Sequence, residues 1–279
     1  MNHLPENHSG ATSDEQLMKL WLSGRPLSSV IAYKPVAMAF LMELPDGLQG
    51  ATVAQVMAWA ETLNGKPATI ARKISTIKSL LSFGYRTGYL VFNVGRILRT
   101  PKIPDNLNEK ILEEDAVGGL IGIADLGRDK ILIRFLYASG ARIAEAVRIR
   151  FKDLNDFRVT LQGKGTRTRT LMLPSTIADE LRTLRRNNEV DEAPVFKSYR
   201  GKQLTARDAR RIVTDTGKKA GLKLWPHLLR HAHASHSLDA GCPLTLISNS
   251  LGHRNIATTS RYLHARPNDG SSRFLRLVK

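Results

Sequence analysis

The chain is poor in cysteine, in acid and in long apolar runs, and each shortage excludes something. The single cysteine, Cys242, rules out an intramolecular disulfide and any zinc site built on paired cysteines. No apolar stretch approaches the ~18 residues that a membrane span needs. The opening MNHLPENHSGATSDEQ has neither the apolar core of a signal peptide nor the Arg-rich pattern of a transit peptide, so a cytoplasmic protein is expected. Neither an HExxH nor a CxxC motif occurs. Acids are few: 25 Asp and Glu stand against 42 Lys and Arg, for a net charge of +17. Such an excess favours a polyanionic partner. It is uneven, with a net of +4 over residues 1–100 and +13 over residues 101–279. A hydrophobic content of 42% is otherwise that of an ordinary globular protein.

The first hundred residues read as a bundle of four or five helices with a basic face. Ser13-Asp14-Glu15 is a helix start with acids in its first turn. Residues 28–44 are largely apolar, with Pro35 as an interruption or kink. In residues 52–63, Val53, Val56, Met57 and Ala60 share a face; in 67–86, which opens on Pro67, Ile70, Ile74, Ile77 and Leu81 do. Arg72, Lys73 and Lys78 lie off that stripe. Residues 100–110 (TPKIPDNLNEK) hold two prolines and no periodicity, which predicts a linker between domains at 11–100 and 111–279. The second part is mixed. Helices are expected at 113–124, 128–139, 175–188, 205–220, 227–239, 243–250 and 256–263. Strand patterns at 156–162 and 169–173 flank a Gly163-Lys164-Gly165 turn, giving an antiparallel hairpin with a lysine at its tip.

Four clusters could carry chemistry, and each has an ordinary reading beside it. His227 and Arg230, three apart in WPHLLRHAHASH, share a helix face and could contact phosphate oxygens, or form a surface pair. The same segment holds His231, His233 and His236, but with no carboxylate ligand nearby no metal is implied. Arg142 opens a helix in SGARIAEAVRI, where anions are favoured, and Glu145 could pair with it. LQGKGTRTR is not a P-loop, because Gly165 follows the lysine and Arg158 replaces the earlier glycine. Finally, LGHRNIATTSRYLH offers His253 and Tyr262, an aromatic that could be a core anchor or a nucleophile.

Taken in order, Arg142, Lys164, His227, Arg230, His253 and Tyr262 resemble the tyrosine recombinase (phage integrase) family, most nearly its Xer-type site-specific recombinases. The likeness extends over nearly the whole chain. SGARIAE is similar to T-G-L-R-I-S-E, GKGTRTR to G-K-G-x-K-x-R and HLLRHAHASH to H-D-L-R-H-T-x-A-T; LGHRNIATTSRYLH resembles the family's closing stretch from L-G-H to Y-x-H. FNVGRI departs from it, with Val94 where N-P is usual. The resemblance implies a mainly α fold with a small antiparallel hairpin or sheet, in two domains. These are a helical, SAM-like core-binding domain and a mixed α+β catalytic domain of the kind shared with type IB topoisomerases.

It also implies cutting and rejoining of DNA through a 3′-phosphotyrosine. Tyr262 would attack, Arg142 and Arg230 clamp the scissile phosphate, His253 donate to it and Lys164 protonate the leaving 5′-oxygen. His227 would hold the phosphate or accept the tyrosine's proton, and Glu145 would position arginine. Arg72, Lys73, Lys78, Lys202, Arg207, Arg210 and Arg211 are the expected DNA contacts. No cofactor or metal is implied. The partners would be double-stranded DNA and further subunits, in a homo-tetramer or a hetero-tetramer with a second recombinase, and the localisation nucleoid-associated. The few residues before the first helix leave no room for an arm-binding domain, and Phe274, Leu275 and Leu277 would serve a docking tail. A type IB topoisomerase and a non-catalytic DNA-binding relative are the alternatives. Chromosome-dimer resolution, integration and excision are left open.

Overall fold

The computed structural model describes residues 6–103, 111–125, 127–163, 167–253, 255–260 and 262. The chain divides into two compact units, Met1–Pro104 and Asp105–Lys279. Among the described residues, no helix is long and apolar enough to cross a membrane.

Among the described residues, the first unit is built on α1 (Asp14–Leu22), α2 (Leu27–Met42), α3 (Val53–Thr62) and α4 (Pro67–Arg86). Ser13 caps α1 by accepting from the Gln16 amide, and Thr52 and Gln55 close a reciprocal capping box on α3. The Asp14 carboxylate accepts from the Tyr89 hydroxyl (2.7 Å) and the Leu48 amide (2.8 Å), tying two loops to the first turn. Leu17, Phe40, Ile77, Leu80 and Leu81 are fully buried in the core between the helices.

One local expectation is narrowed here and one fails. Of the interruption or kink expected at Pro35, the interruption does not occur, because α2 runs through it. Both Pro35 and Ile31, whose carbonyl loses its helical donor, lie on the exposed side, where water can replace the missing bond. On α3, Val53 and Met57 are exposed, whereas Val56 and Trp59 are buried. The Trp59 ring, edge-on to Phe40 at 4.8 Å, rotates the helix toward its larger apolar surface.

The second unit holds α5 (Glu114–Ile123), α6 (Arg128–Ser139), the single turn α7 (Ile143–Ala146), strands β1 (Leu154–Asn155), β2 (Arg158–Gln162) and β3 (Thr168–Met172), then α8 (Ser175–Thr183), α9 (Ala206–Lys219), α10 (Pro226–Asp239), α11 (Leu244–Leu251) and α12 (Ala257–Ser260). The strands form an antiparallel sheet in the order β1-β2-β3, with Val159 opposite both Leu154 and Leu171. The hairpin predicted from sequence is thus two-thirds of the sheet. β1 is only two residues long and leaves no alternation to read. α8 stops at Thr183, short of the expected 188, where Arg186-Asn187-Asn188-Glu189 turns and Asn188 takes a positive φ of 64°.

The core lies between α6, α8, α9, α10 and the sheet, around Leu132, Phe135, Leu136, Val159, Leu161, Leu181, Phe196 and Leu229. α6 ends at Gly140 and α11 at Gly252, both left-handed, at φ +58° and +63°. A side chain at either would also crowd a neighbour, clashing at Gly140 and pressing tightly at Gly252. A Cβ on Gly140 would stand 2.6 Å from the His233 ring, and one on Gly252 3.2 Å from the Arg169 guanidinium. These two tight stops place the chain segments that carry the candidate site.

Candidate active site

α10 is the platform. Pro226 opens it at a position where a missing N–H costs nothing, and its helical spacing carries His227 and Arg230 along one side. Arg230 is 4% exposed. Its guanidinium donates to the carbonyl of Gly140, the left-handed residue that closes α6 (2.6 Å), and to that of Leu251, the last residue of α11 (2.6 Å), and lies 3.0 Å from His253 Nε2. Arg142, at the start of α7, also reaches the Leu251 carbonyl (3.4 Å). Two guanidinium groups therefore meet at one oxygen.

A single carboxylate organises this cluster. Glu145 is buried; it accepts from the Arg142 amide (2.9 Å) and guanidinium (3.0 Å), and from Arg169 twice (3.0 and 2.8 Å). Burial pushes its carboxyl up, but hydrogen bonds from Arg169 and Arg142 outweigh this and hold it below the ordinary value. Arg169, on β3, also donates to the Ser250 carbonyl (2.7 Å), which locks the sheet to the end of α11. Arg169 was not nominated from the sequence. The signal was present as the last residue of GKGTRTR, but nothing along the chain reveals that it forks onto Glu145, 24 residues away.

Three arginines thus surround one carboxylate, and the surplus charge shows. Burial first, then Arg142, pushes the Arg230 guanidinium down to about 10; Tyr262 acts on it in the opposite direction. His253 is pushed down to about 4, chiefly by burial and then by Arg230, Arg142 and Arg169. Its tautomer follows from its neighbours. Arginine only donates, so Nε2 accepts from Arg230, and Nδ1 carries the proton toward the Thr259 hydroxyl at 2.8 Å. In this state His253 is neutral and its Nε2 is an acceptor. His227 is also held below its ordinary value, by burial and by Arg230, Arg142 and Arg210. It lines a cleft of about 270 Å³ with Arg142, Arg210 and Trp225.

Tyr262 is 3% exposed and packs with Ala234, Leu238, Ile247 and Leu251. Its hydroxyl lies 2.7 Å from His231 Nδ1. The amide of Tyr262 donates to the Thr259 carbonyl (3.0 Å), so the short α12 hangs both the His253 contact and Tyr262 from one turn. The two readings of Tyr262 left open by sequence are compatible: it is packed in an apolar cluster while its hydroxyl is held by histidine beside the arginines. His231 was seen in the sequence only as a zinc suspect, and its position next to Arg230 is the one clue it carried.

The remaining histidines have other work. Burial pushes His233 down to about 4. His236 bridges the Tyr137 hydroxyl (2.9 Å) and the Leu112 carbonyl (2.8 Å). Among the described residues, no three His, Cys, Asp or Glu side chains gather as metal ligands. Lys164 lies outside the described residues, as do residues 104–110 of the expected linker and Phe274, Leu275 and Leu277.

The expected DNA contacts separate into distinct places. Arg210 stands at the cleft beside Arg142 and His227, and Arg207 is exposed on the same helix. Lys202 and Arg211 line a different cleft, of about 760 Å³, into which Asp125, Asp129 and Asp208 also face. In the first unit Arg72 is exposed and Lys73 half-buried, but Lys78 donates to the Leu98 carbonyl at 2.7 Å and so braces the end of that unit.

Comparison with known proteins gives the family and the fold. Residues 110–269 match the phage integrase family. The chain is 32% identical over 286 aligned positions to the tyrosine recombinase XerC of Corynebacterium glutamicum, covering 94% of this chain and 92% of that protein. It is 31% identical over 222 positions to XerC of Thermodesulfovibrio yellowstonii, covering 73% and 74%. In fold it is similar to a lambda integrase dimer bound to a COC′ core site, with a TM-score of 0.75 at 17% identity over 92% of this chain and 96% of that one. The XerH site-specific recombinase bound to a palindromic difH substrate gives 0.70 at 20% identity, covering 91% and 82%. The chain belongs to the phage integrase family, the tyrosine recombinases, and its curated relatives include those of the Xer type.

Proposed function

We propose that the protein is a site-specific DNA recombinase that cuts and rejoins strands through a 3′-phosphotyrosine at Tyr262. The observation that carries this is the convergence of Arg142 and Arg230 on the Leu251 carbonyl, where three arginines and two histidines gather and, among the described residues, one carboxylate, Glu145, lies with them. A buried guanidinium that lacks a full counter-charge is prepared for an anion. A phosphodiester supplies one, and its non-bridging oxygens fit two forked donors.

In the attack, the Tyr262 oxygen bonds to phosphorus and the 5′-oxygen leaves. Arg142 and Arg230 stabilise the charge that builds on the phosphoryl oxygens. His227, ringed by Arg142, Arg230 and Arg210, donates to the phosphate from the cleft side. His253 can do so only after its Nε2 exchanges Arg230 for a proton. Lys164 is the proposed acid for the 5′-oxygen. Bond energy is retained in the phosphotyrosine, so a 5′-hydroxyl from another strand reverses the step without a nucleotide cofactor. Residues 11–100 and 111–279 act as core-binding and catalytic domains around duplex DNA. Several copies work together, as in the lambda integrase tetramer bound to a Holliday junction.

The test is a duplex nicked near the cleavage position, which traps the covalent adduct. Wild type is expected to form it and Tyr262→Phe to form none while still binding DNA. No adduct from wild type, or equal adduct from the variant, would refute the reading. Relaxation of plasmids without any preferred site would point to topoisomerase action.

A further inference from the structure

The proposed chemistry needs a base for the phenol, and among the described residues neither His227 nor His253 is placed to be one. His227 faces the arginine cleft, and His253 Nε2 is occupied by Arg230. The hydroxyl of Tyr262 meets His231 instead, at 2.7 Å from Nδ1, with the two rings tilted at 50° and their centroids 5.8 Å apart. From this juxtaposition we infer that His231 is the catalytic base: it removes the proton of Tyr262 as the phenol oxygen attacks. The proposal rests on the recombinase reading above and adds a residue to it.

The step balances. The Oη–H bond breaks and its proton passes to Nδ1, while the freed electron pair on Oη forms the bond to phosphorus. The P–O5′ bond breaks, and the 5′-oxygen takes its proton from a separate acid. The return step reverses these transfers, with the imidazolium returning the proton to Oη as the 5′-hydroxyl displaces it. His231 therefore serves both halves of the exchange and needs no co-reactant.

Three features suit it to this. Tyr262 is 3% exposed, so bulk water has little access to its side chain. Among the described residues, the charged and titratable groups beside the pair include Arg230 on the same helix and the neutral His253 after α11, with Arg142 and Arg169 acting on both. These cations stabilise the phenolate that proton removal creates. Finally, Thr259 ties the Tyr262 turn to His253, and His253 to Arg230, so the hydroxyl is held against α10 from both sides.

The experiment is single-turnover cleavage of the nicked duplex at saturating DNA, from about pH 5.5 to about pH 9, with full-length wild type, His231→Ala, His231→Asn and Tyr262→Phe. The wild-type rate is expected to rise with pH and level off through a single midpoint, as one basic group loses its proton. Both His231 variants should lose about 10²–10⁴-fold in rate with unchanged DNA affinity, and lose that midpoint. Asparagine restores a hydrogen-bonding group but cannot accept the proton, so it should fare no better than alanine. Added imidazole should recover part of the rate in His231→Ala alone. The proposal is overturned if His231→Asn cleaves like wild type, if either variant keeps the midpoint, or if the loss is one of DNA binding. Absence of a Tyr262-dependent adduct from wild type sinks the recombinase reading and this proposal with it; a normal adduct from both His231 variants sinks this proposal alone.

Discussion

Replacing Glu145 by glutamine keeps its shape and deletes its charge. The carboxylate accepts four hydrogen bonds, two from Arg142 and two from Arg169. An amide cannot accept at its nitrogen, so at least one forked contact becomes a clash of donors. Breaking a buried ion pair by removing one partner costs about 3–5 kcal/mol. The Arg169 side chain is 14% exposed and shares that cost, but Arg142 at 41% is screened by solvent and adds little. We expect about 3 kcal/mol, a drop in Tm of roughly 6–12 °C for a unit of this size. The pH dependence has a definite sign. Glu145 is held below its ordinary value, so its contribution is complete above the carboxylate range and disappears as pH falls through its lowered value. Wild type should therefore converge on Glu145→Gln in acid. Thermal melts followed by circular dichroism at about pH 7 and about pH 3 test this. A variant melting within about 2 °C of wild type at neutral pH, or a gap that survives acid unchanged, would refute the account of Glu145 as the organiser of the arginines.

Arg230→Lys should retain one of the three contacts at most and cut cleavage by about 10²–10³-fold, read in the adduct assay with DNA affinity measured alongside. Gly140→Ala forces a left-handed φ of 58° and a 2.6 Å approach to His233, so unfolding in urea should begin at lower denaturant by more than the ~1 kcal/mol of the backbone strain alone. His233 and His253, both pushed down to about 4, must stay neutral in the fold. Unfolding leaves them free to protonate below ~6.5. Stability is thus whole above that range and falls as pH drops toward 4, by on the order of 3 kcal/mol for the buried His233 and by less for His253, which solvent screens; urea midpoints across that window, with a shallower fall in the double glutamine variant, check it. Arg210→Ala should lower the salt dependence of DNA binding by about one phosphate contact. Lys78→Ala should instead lower the Tm, because its ammonium is already committed to Leu98.

The helices of both units were readable because apolar periodicity and end signals agree along them: Pro67 and Pro226 open α4 and α10, and Gly140 and Gly252 close α6 and α11. The buried face of α3 was not, because period alone weighs Val53 and Met57 equally with Val56 and cannot anticipate where one tryptophan docks. The site divides the same way. Arg142, Glu145, Arg230, His253 and Tyr262 could be named from their order and resemblance. The Arg169 fork, the His231 contact and the Thr259 tether could not, since each joins elements whose distance in space no local pattern encodes.

The shared carbonyl of Leu251 has a consequence for conformational entropy. An arginine side chain free in water loses up to about 2 kcal/mol of rotamer freedom when it is fixed. Here both guanidinium groups are oriented by a backbone oxygen, with Gly140 and Glu145 completing the hold, before any phosphate arrives. That ordering is settled at folding and does not recur at each encounter with DNA. On the proposed reading, a phosphodiester would replace one acceptor with a better one, and the difference between the two oxygens, rather than the full strength of either contact, would set how firmly it is held.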